Sequence, residues 1–167
     1  MKCIDFETNL ENCNSLLSRL CIRLCKNRTD AEDLYQETVC SAFKHYDKYK
    51  QDLPFDRWIY TLCINVFRNQ YRKQKHSPQP YNFHSNEQKD ELLANLPDCS
   101  GSIEEYNDLR EIIDTLDYNK RIVIVLYYFH DLSIKEIGKM LSTPEGTVKK
   151  RLFAARKLIK ERMNDNE

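Results

Sequence analysis

Seven cationic side chains crowd the stretch between Glu145 and Met163: Lys149, Lys150, Arg151, Arg156, Lys157, Lys160 and Arg162. Only Glu145 and Glu161 oppose them, so the local charge is about +5. Such a face does the chemistry of polyanion binding, because each phosphate it neutralises releases condensed counterions. A second basic block runs from Arg57 to Lys75 with Arg68, Arg72 and Lys73 and no acid between its ends. Trp58, Tyr60 and Phe67 interleave with Asn65, Arg68, Asn69 and Arg72 in this block. Aromatics among Arg and Asn suit single-stranded nucleic acid, where bases stack on rings and Arg holds phosphates. The competing reading makes these rings plain core, and it is favoured for Trp58 and Phe67. A third group, Asp33, Gln36, Glu37 and Cys40, recurs at helical spacing as a polar, acidic face. Periodicity alone leaves that face open between solvation and a binding surface.

Other chemistries find no foothold. His45, His76, His84 and His130 follow no ligand or triad spacing. No nucleophile–base pair, phosphate loop or paired acid occurs, so no enzyme is expected. The seven cysteines are odd in number and form no Cys-x-x-Cys. Several fall on apolar stripes, the pattern of small buried hydrophobes in a reducing cytoplasm. A zinc site using Cys21 and Cys25 with a histidine, or a redox protein built on the thiols, is the alternative, but the spacing is poor. No metal or cofactor is expected. No signal peptide, transit peptide or membrane span is evident, which predicts a cytoplasmic protein without membrane insertion.

The elements that must position these groups are helices. Only three glycines occur in 167 residues, and 41% of the residues are hydrophobic. Few turn formers and long periodic runs predict an all-α fold. Ser133 and Glu136 make a capping box before Ile134, Ile137 and Leu141. Ser142-Thr143-Pro144 ends that helix, and Thr143 is the expected cap of the next, with Pro144 at its first position. Val148, Leu152, Ala155, Leu158 and Ile159 then form one apolar stripe, opposite the basic face. Helix, tight turn and basic helix in this order predict a helix-turn-helix, whose second helix lies in the DNA major groove. A hairpin with a solvated basic side is the plainer alternative.

Upstream, the spacing predicts a helix over 5–26 along Phe6, Leu10, Cys13, Leu17, Leu20 and Leu24. Thr29 or Asp30 is the expected cap of a second helix, whose apolar faces are Ala31, Leu34, Tyr35, Thr38, Ala42, Phe43 and Tyr46. Asp47–Pro54 reads as a polar connection before a helix from Phe55 to Lys73. Residues 76–103 read as a flexible linker, with a short helical turn near Glu91–Leu96. Fully extended it spans at most about 90–100 Å. A helix follows over 103–116, and Asp117 or Asn119 is expected to cap the next. Arg121–Phe129 is a strand by β-propensity, but closely flanking helices and the lack of a partner strand predict a buried helix. Two small helical domains, 1–75 and 104–167, are thus expected.

Two blocks carry a family resemblance. Asp30-Ala-Glu-Asp-Leu-Tyr-Gln-Glu-Thr-Val39 with Phe55-Asp-Arg-Trp-Ile-Tyr-Thr-Leu-Cys-Ile-Asn-Val66 is similar to region 2 of the bacterial sigma-70 family. Leu116–Met163, with Ser133-Ile-Lys-Glu-Ile-Gly138 and Glu145-Gly-Thr-Val-Lys-Lys-Arg-Leu152, is similar to region 4. Both blocks, in order on one tether, resemble a sigma factor of the extracytoplasmic-function (ECF) type. The resemblance implies promoter-specific initiation by core RNA polymerase. It implies that Asp33, Gln36 and Glu37 dock on the β′ clamp helices. The loop Lys48–Pro54, with Lys50, matches a pocket for a base flipped from the −10 element. Asn65, Arg68, Asn69 and Arg72 match contacts to the −10 strand. Thr147, Lys149, Lys150, Arg151, Phe153 and Arg156 fall on the part of the recognition helix that reads the −35 element. The implied partners are core polymerase through β′ and the β flap, promoter DNA, and an anti-sigma factor. The acidic run Glu87–Glu91 would thread the polymerase near the template strand. Ala154 departs from the Arg or His common in the family, and Tyr35 and Cys40 from its usual choices. A duplex-binding repressor or activator using only the C-terminal helix-turn-helix, with the N-terminal domain as sensor, is the other reading of the same motif.

Overall fold

The structure, a computed structural model, describes the backbone of residues 2–76 and 103–165 and the side chains of 5–75 and 108–165. Among the described residues there are seven α-helices and no strand. The chain divides into two compact units, Met1–Asp90 and Glu91–Glu167, so the all-α, two-unit architecture is as expected. The helical turn near Glu91–Leu96 and the acidic run Glu87–Glu91 lie outside the described residues, as does nearly all of the linker.

The first unit is three helices packed pairwise: α1 (Lys2–Leu24), α2 (Arg28–His45) and α3 (Phe55–His76). Leu17, Leu20 and Leu24 of α1 meet Leu34 and Ala42 of α2 and Ile59, Cys63 and Ile64 of α3 in a core closed to solvent. Helix α1 begins and ends earlier than its apolar spacing suggested. The cap of α2 also differs from expectation. Asn27, extended at φ −140° and ψ 165°, accepts from the Asp30 backbone N–H at 2.9 Å. Its amide donates to the Asp30 carboxylate at 2.8 Å. Arg28 and Thr29 are already helical, which moves the cap upstream of both expected candidates. Thr38 is buried in mid-helix and satisfies its hydroxyl by donating to the Leu34 carbonyl at 2.7 Å.

The polar connection after α2 conceals an aromatic cluster. A short 3-10 turn over Tyr46–Lys48 brings Tyr46 and Tyr49 against Phe55 and Trp58. Tyr49 stacks on Tyr46 with ring centres 5.9 Å apart.

The second unit gathers on one long helix. Helices α4 (Ile103–Thr115), α5 (Tyr118–Ile124) and α6 (Ile134–Leu141) all pack on α7 (Glu145–Asp165). Ile122 to Leu126, the run with strand propensity, is buried on every side. Burial all round overrides local propensity in a core helix. The helix widens to a π turn over Val125–Phe129. Asp117 caps α5, accepting from the Lys120 backbone N–H at 3.0 Å. Arg121 is buried and donates to the Asp114 and Leu116 carbonyls at 2.6 and 3.2 Å. It thereby satisfies orphan carbonyls at the end of α4.

The turn between α6 and α7 is built as the sequence indicated at its start and differently at its end. Ser133 and Glu136 form the full capping box. Helix α6 stops at Ser142, which adopts the left-handed conformation at φ 50°. Thr143 N–H then donates to the Gly138 carbonyl at 2.8 Å. A Cβ at Gly138 would meet the Thr143 carbonyl oxygen at 2.9 Å, so this close approach requires glycine. The Thr143 hydroxyl donates back to the Leu141 carbonyl at 3.1 Å, serving the end of α6. The Pro144 carbonyl accepts the first bonds of α7, from Thr147 and Val148.

Candidate nucleic-acid interface

On α7, Val148, Leu152 and Ala155 are buried and anchor the helix to its unit. Lys149, Lys150, Phe153 and Arg156 are exposed, and Thr147 and Arg151 are half-buried. Phe153 is 71% exposed. A phenylalanine this open, between lysines on a basic helix, has no role in the unit's own packing. Apolar contact with a thymine methyl in the major groove is one use for it. Arg156 is exposed but not loose: its Nε donates to the Tyr128 hydroxyl at 2.5 Å. Sequence reasoning missed Tyr127 and Tyr128. Their partner lies 28 residues on from Tyr128, and no local periodicity signals that pairing.

On α3, Asn65, Asn69 and Arg72 are exposed and Arg68 is half-buried. They line the outer side of a helix whose inner side is Ile59, Tyr60, Cys63, Ile64 and Phe67. Tyr60 and Phe67 therefore belong to the core. Burial pushes the Tyr60 phenol well above its ordinary value. Trp58 is half-buried and joins the Tyr46–Tyr49–Phe55 cluster at one end of this helix. Lys50 is exposed on the adjoining turn, which Leu53 N–H closes by donating to the Lys50 carbonyl at 3.2 Å. The Tyr49 hydroxyl donates to the Leu53 carbonyl at 2.7 Å. Aromatic rings, a preformed turn and an Asn/Arg face thus adjoin within one unit.

On α2, Asp33, Gln36, Glu37 and Cys40 are all exposed on one side, while Ala31, Leu34, Thr38 and Ala42 are buried on the other. The Glu37 carboxylate accepts from the Gln70 amide of α3 at 2.7 Å. Gln70, also missed in the sequence, ties the acidic face to the helix that carries the Asn/Arg face.

Cys13, Cys21, Cys25 and Cys63 are buried and Cys40 is exposed. Cys21 and Cys63 approach to 3.7 Å between sulfurs. Their hydrogen bond and burial push the Cys21 thiol far up, and burial pushes Cys13 up to about 11. Neutral, buried thiols of this kind pack as small hydrophobes and are poor nucleophiles. Among the described residues no three His, Cys, Asp or Glu side chains converge on a metal site, and no helix is long and apolar enough to cross a membrane.

Leu109 and Ile113 of α4, Phe129, and Ile159 and Met163 of α7 line a largely apolar groove of about 650 Å³, which Tyr128, Arg156 and Lys160 also border.

Comparison with known proteins agrees with this geometry. Sigma-70 region 2 matches residues 10–77, and Sigma-70, region 4 matches residues 106–159. The ECF RNA polymerase sigma factor SigW of Bacillus subtilis is 31% identical over 158 residues, covering 88% of this chain and 82% of that protein. RNA polymerase sigma factor SigV of the same organism is 29% identical over 144 residues, covering 85% and 81%. The sigma factor RpoE of Bartonella quintana, solved in complex with the anti-sigma factor NepR, shares the fold. Its TM-score is 0.75 at 22% identity, over 98% of this chain and 99% of that one. Two helical units carrying regions 2 and 4 in order, and a relative 31% identical over 88% of the chain, place this chain in the ECF sigma factors of the sigma-70 family.

Proposed function

We propose that the three faces divide the work of promoter-directed transcription initiation, which the chain performs with RNA polymerase as a sigma factor. The acidic side of α2 (Asp33, Gln36, Glu37) docks on the β′ clamp helices. The outer side of α3 (Asn65, Arg68, Asn69, Arg72) and the turn at Lys50 hold the melted −10 strand. The outward side of α7 (Thr147, Lys149, Lys150, Arg151, Phe153), with Arg156 beside it, engages the −35 duplex. Residues 1–75 and 104–167 are the two working modules and 76–103 their tether. The factor works in the cytoplasm without covalent chemistry of its own. Base capture in the first unit offsets the few kcal/mol that unstacking costs, roughly as base-flipping proteins do.

The observation that carries this reading is the split of α3 and α7. Each has one side locked in a core and one side of exposed Arg, Lys and Asn. An anti-sigma factor is the expected regulator, and the apolar groove between α4 and α7 offers it, or the β flap, a seat. Run-off transcription with core polymerase on genomic fragments, including the chain's own upstream region, tests the proposal. A new start site that depends on the chain is expected. Its absence on every template would overturn the reading.

A further inference from the structure

We infer that Tyr127 and Tyr128 are positioning residues for Arg156, and that the guanidinium they hold serves a DNA phosphate beside the reading helix rather than a base edge. The inference rests on α7 being the duplex-binding helix.

The clamp is visible in three contacts. The Arg156 guanidinium lies 5.5 Å from the Tyr127 ring centre and 5.4 Å from that of Tyr128, within cation–π reach of both. Its Nε also donates to the Tyr128 hydroxyl at 2.5 Å. Consecutive α-helical side chains point about 100° apart. Both rings nevertheless meet one cation here, their centres 5.0 Å apart within the π turn over residues 125–129. Tyr128 is 50% exposed, so packing alone does not account for its place.

The phase of the helix decides what the held group faces. Counted from buried Val148 at about 100° per residue, Lys150, Phe153 and Lys157 fall at roughly 200°, 140° and 180°. They point away from the core. Arg156 falls at roughly 80°, on the flank. A flank side chain of a helix lying in the major groove reaches the sugar–phosphate wall, and contacts of that kind fix register without reading sequence. With Nε engaged by Tyr128, the terminal Nη pair is left to meet two phosphate oxygens side by side. Holding the long side chain in advance also lowers the ordering cost of binding.

The test measures binding of the full chain, at low salt, to two mixed-sequence duplexes of unrelated sequence. Tyr128→Phe keeps the ring and removes only the hydroxyl. It is expected to weaken binding to both duplexes by the same factor, about three- to ten-fold, the effect of one net hydrogen bond. Arg156→Ala is expected to lower the slope of log K against log salt by about one. In the Arg156→Ala background, Tyr128→Phe is expected to do nothing further. An Arg156 Nε–H resonance that exchanges slowly in the native chain and quickly in Tyr128→Phe, at unchanged melting temperature, would support the clamp directly. A Tyr128→Phe loss that persists without Arg156 would overturn it, as would no loss at all. A loss confined to one duplex would make Arg156 a base reader and overturn the phosphate assignment. Failure of a different kind marks the underlying reading: if duplex binding is insensitive to salt and to Lys149→Ala, α7 is not the duplex-binding helix and the inference falls with it.

Discussion

Gln36 and Glu37 are exposed on α2, and the role proposed for them is docking on the polymerase. Nothing in the core needs them, and Glu37 is already oriented by the Gln70 amide at 2.7 Å. Gln36→Ala with Glu37→Ala should therefore leave the unfolding free energy within about 0.5 kcal/mol of native, the usual range for surface changes. The same variant should lose co-purification with core polymerase, which a pull-down measures. On α7, Lys149 and Lys150 are exposed and presented as point charges. Each alanine substitution should lower the salt slope of promoter binding by the holoenzyme by about one, because each removes one phosphate neutralised. Phe153→Ala should instead leave the slope unchanged and relax preference at one −35 position, since its contact is apolar.

Helix ends and turns fix where those side chains stand. Gly138 is held against the Thr143 carbonyl, and the approach of α7 to α6 depends on that contact. Gly138→Ala should force the turn open and destabilise the second unit by about 1–3 kcal/mol, the range of overpacking, measured by urea unfolding. Asp117 gives a pH-dependent counterpart. Burial alone would raise its carboxyl, but hydrogen bonds from Lys120 outweigh this and hold it below the ordinary 3.8. A depressed folded value means the stabilisation is present above the unfolded value and is lost as pH falls through the folded one. Asp117→Asn should keep most of the cap, and Asp117→Ala should lose about 1 kcal/mol. The gap between native and Asp117→Asn should narrow below pH of about 4. Unfolding followed by circular dichroism at neutral and acid pH checks both.

Across the whole molecule, charge is arranged rather than accumulated. Lys plus Arg and Asp plus Glu both number 26, for a net charge of zero. DNA affinity must then come from local faces. Promoter binding by the holoenzyme should fall steeply, by about a thousandfold or more between roughly 50 and 200 mM salt, despite that neutrality. Filter binding across a salt series measures it. The all-α class, the capping box and the basic side of α7 were legible in residue order, because each depends on neighbours three or four positions apart, and the family was legible in two motif blocks that follow each other in order. The Asn27 cap was misplaced by two or three positions because Asn, Thr and Asp all suit the role, and only backbone dihedrals choose among them. The 121–129 run was ambiguous because a helix buried all round loses the periodicity that marks a surface helix. By itself the sequence determined which faces carry charge. Tertiary packing alone decided that Tyr60 belongs to the core, that Gln70 braces Glu37, and that two tyrosines grip Arg156. Those pairings join residues far apart in the chain, and only the burial of apolar surface between helices brings them within hydrogen-bonding distance.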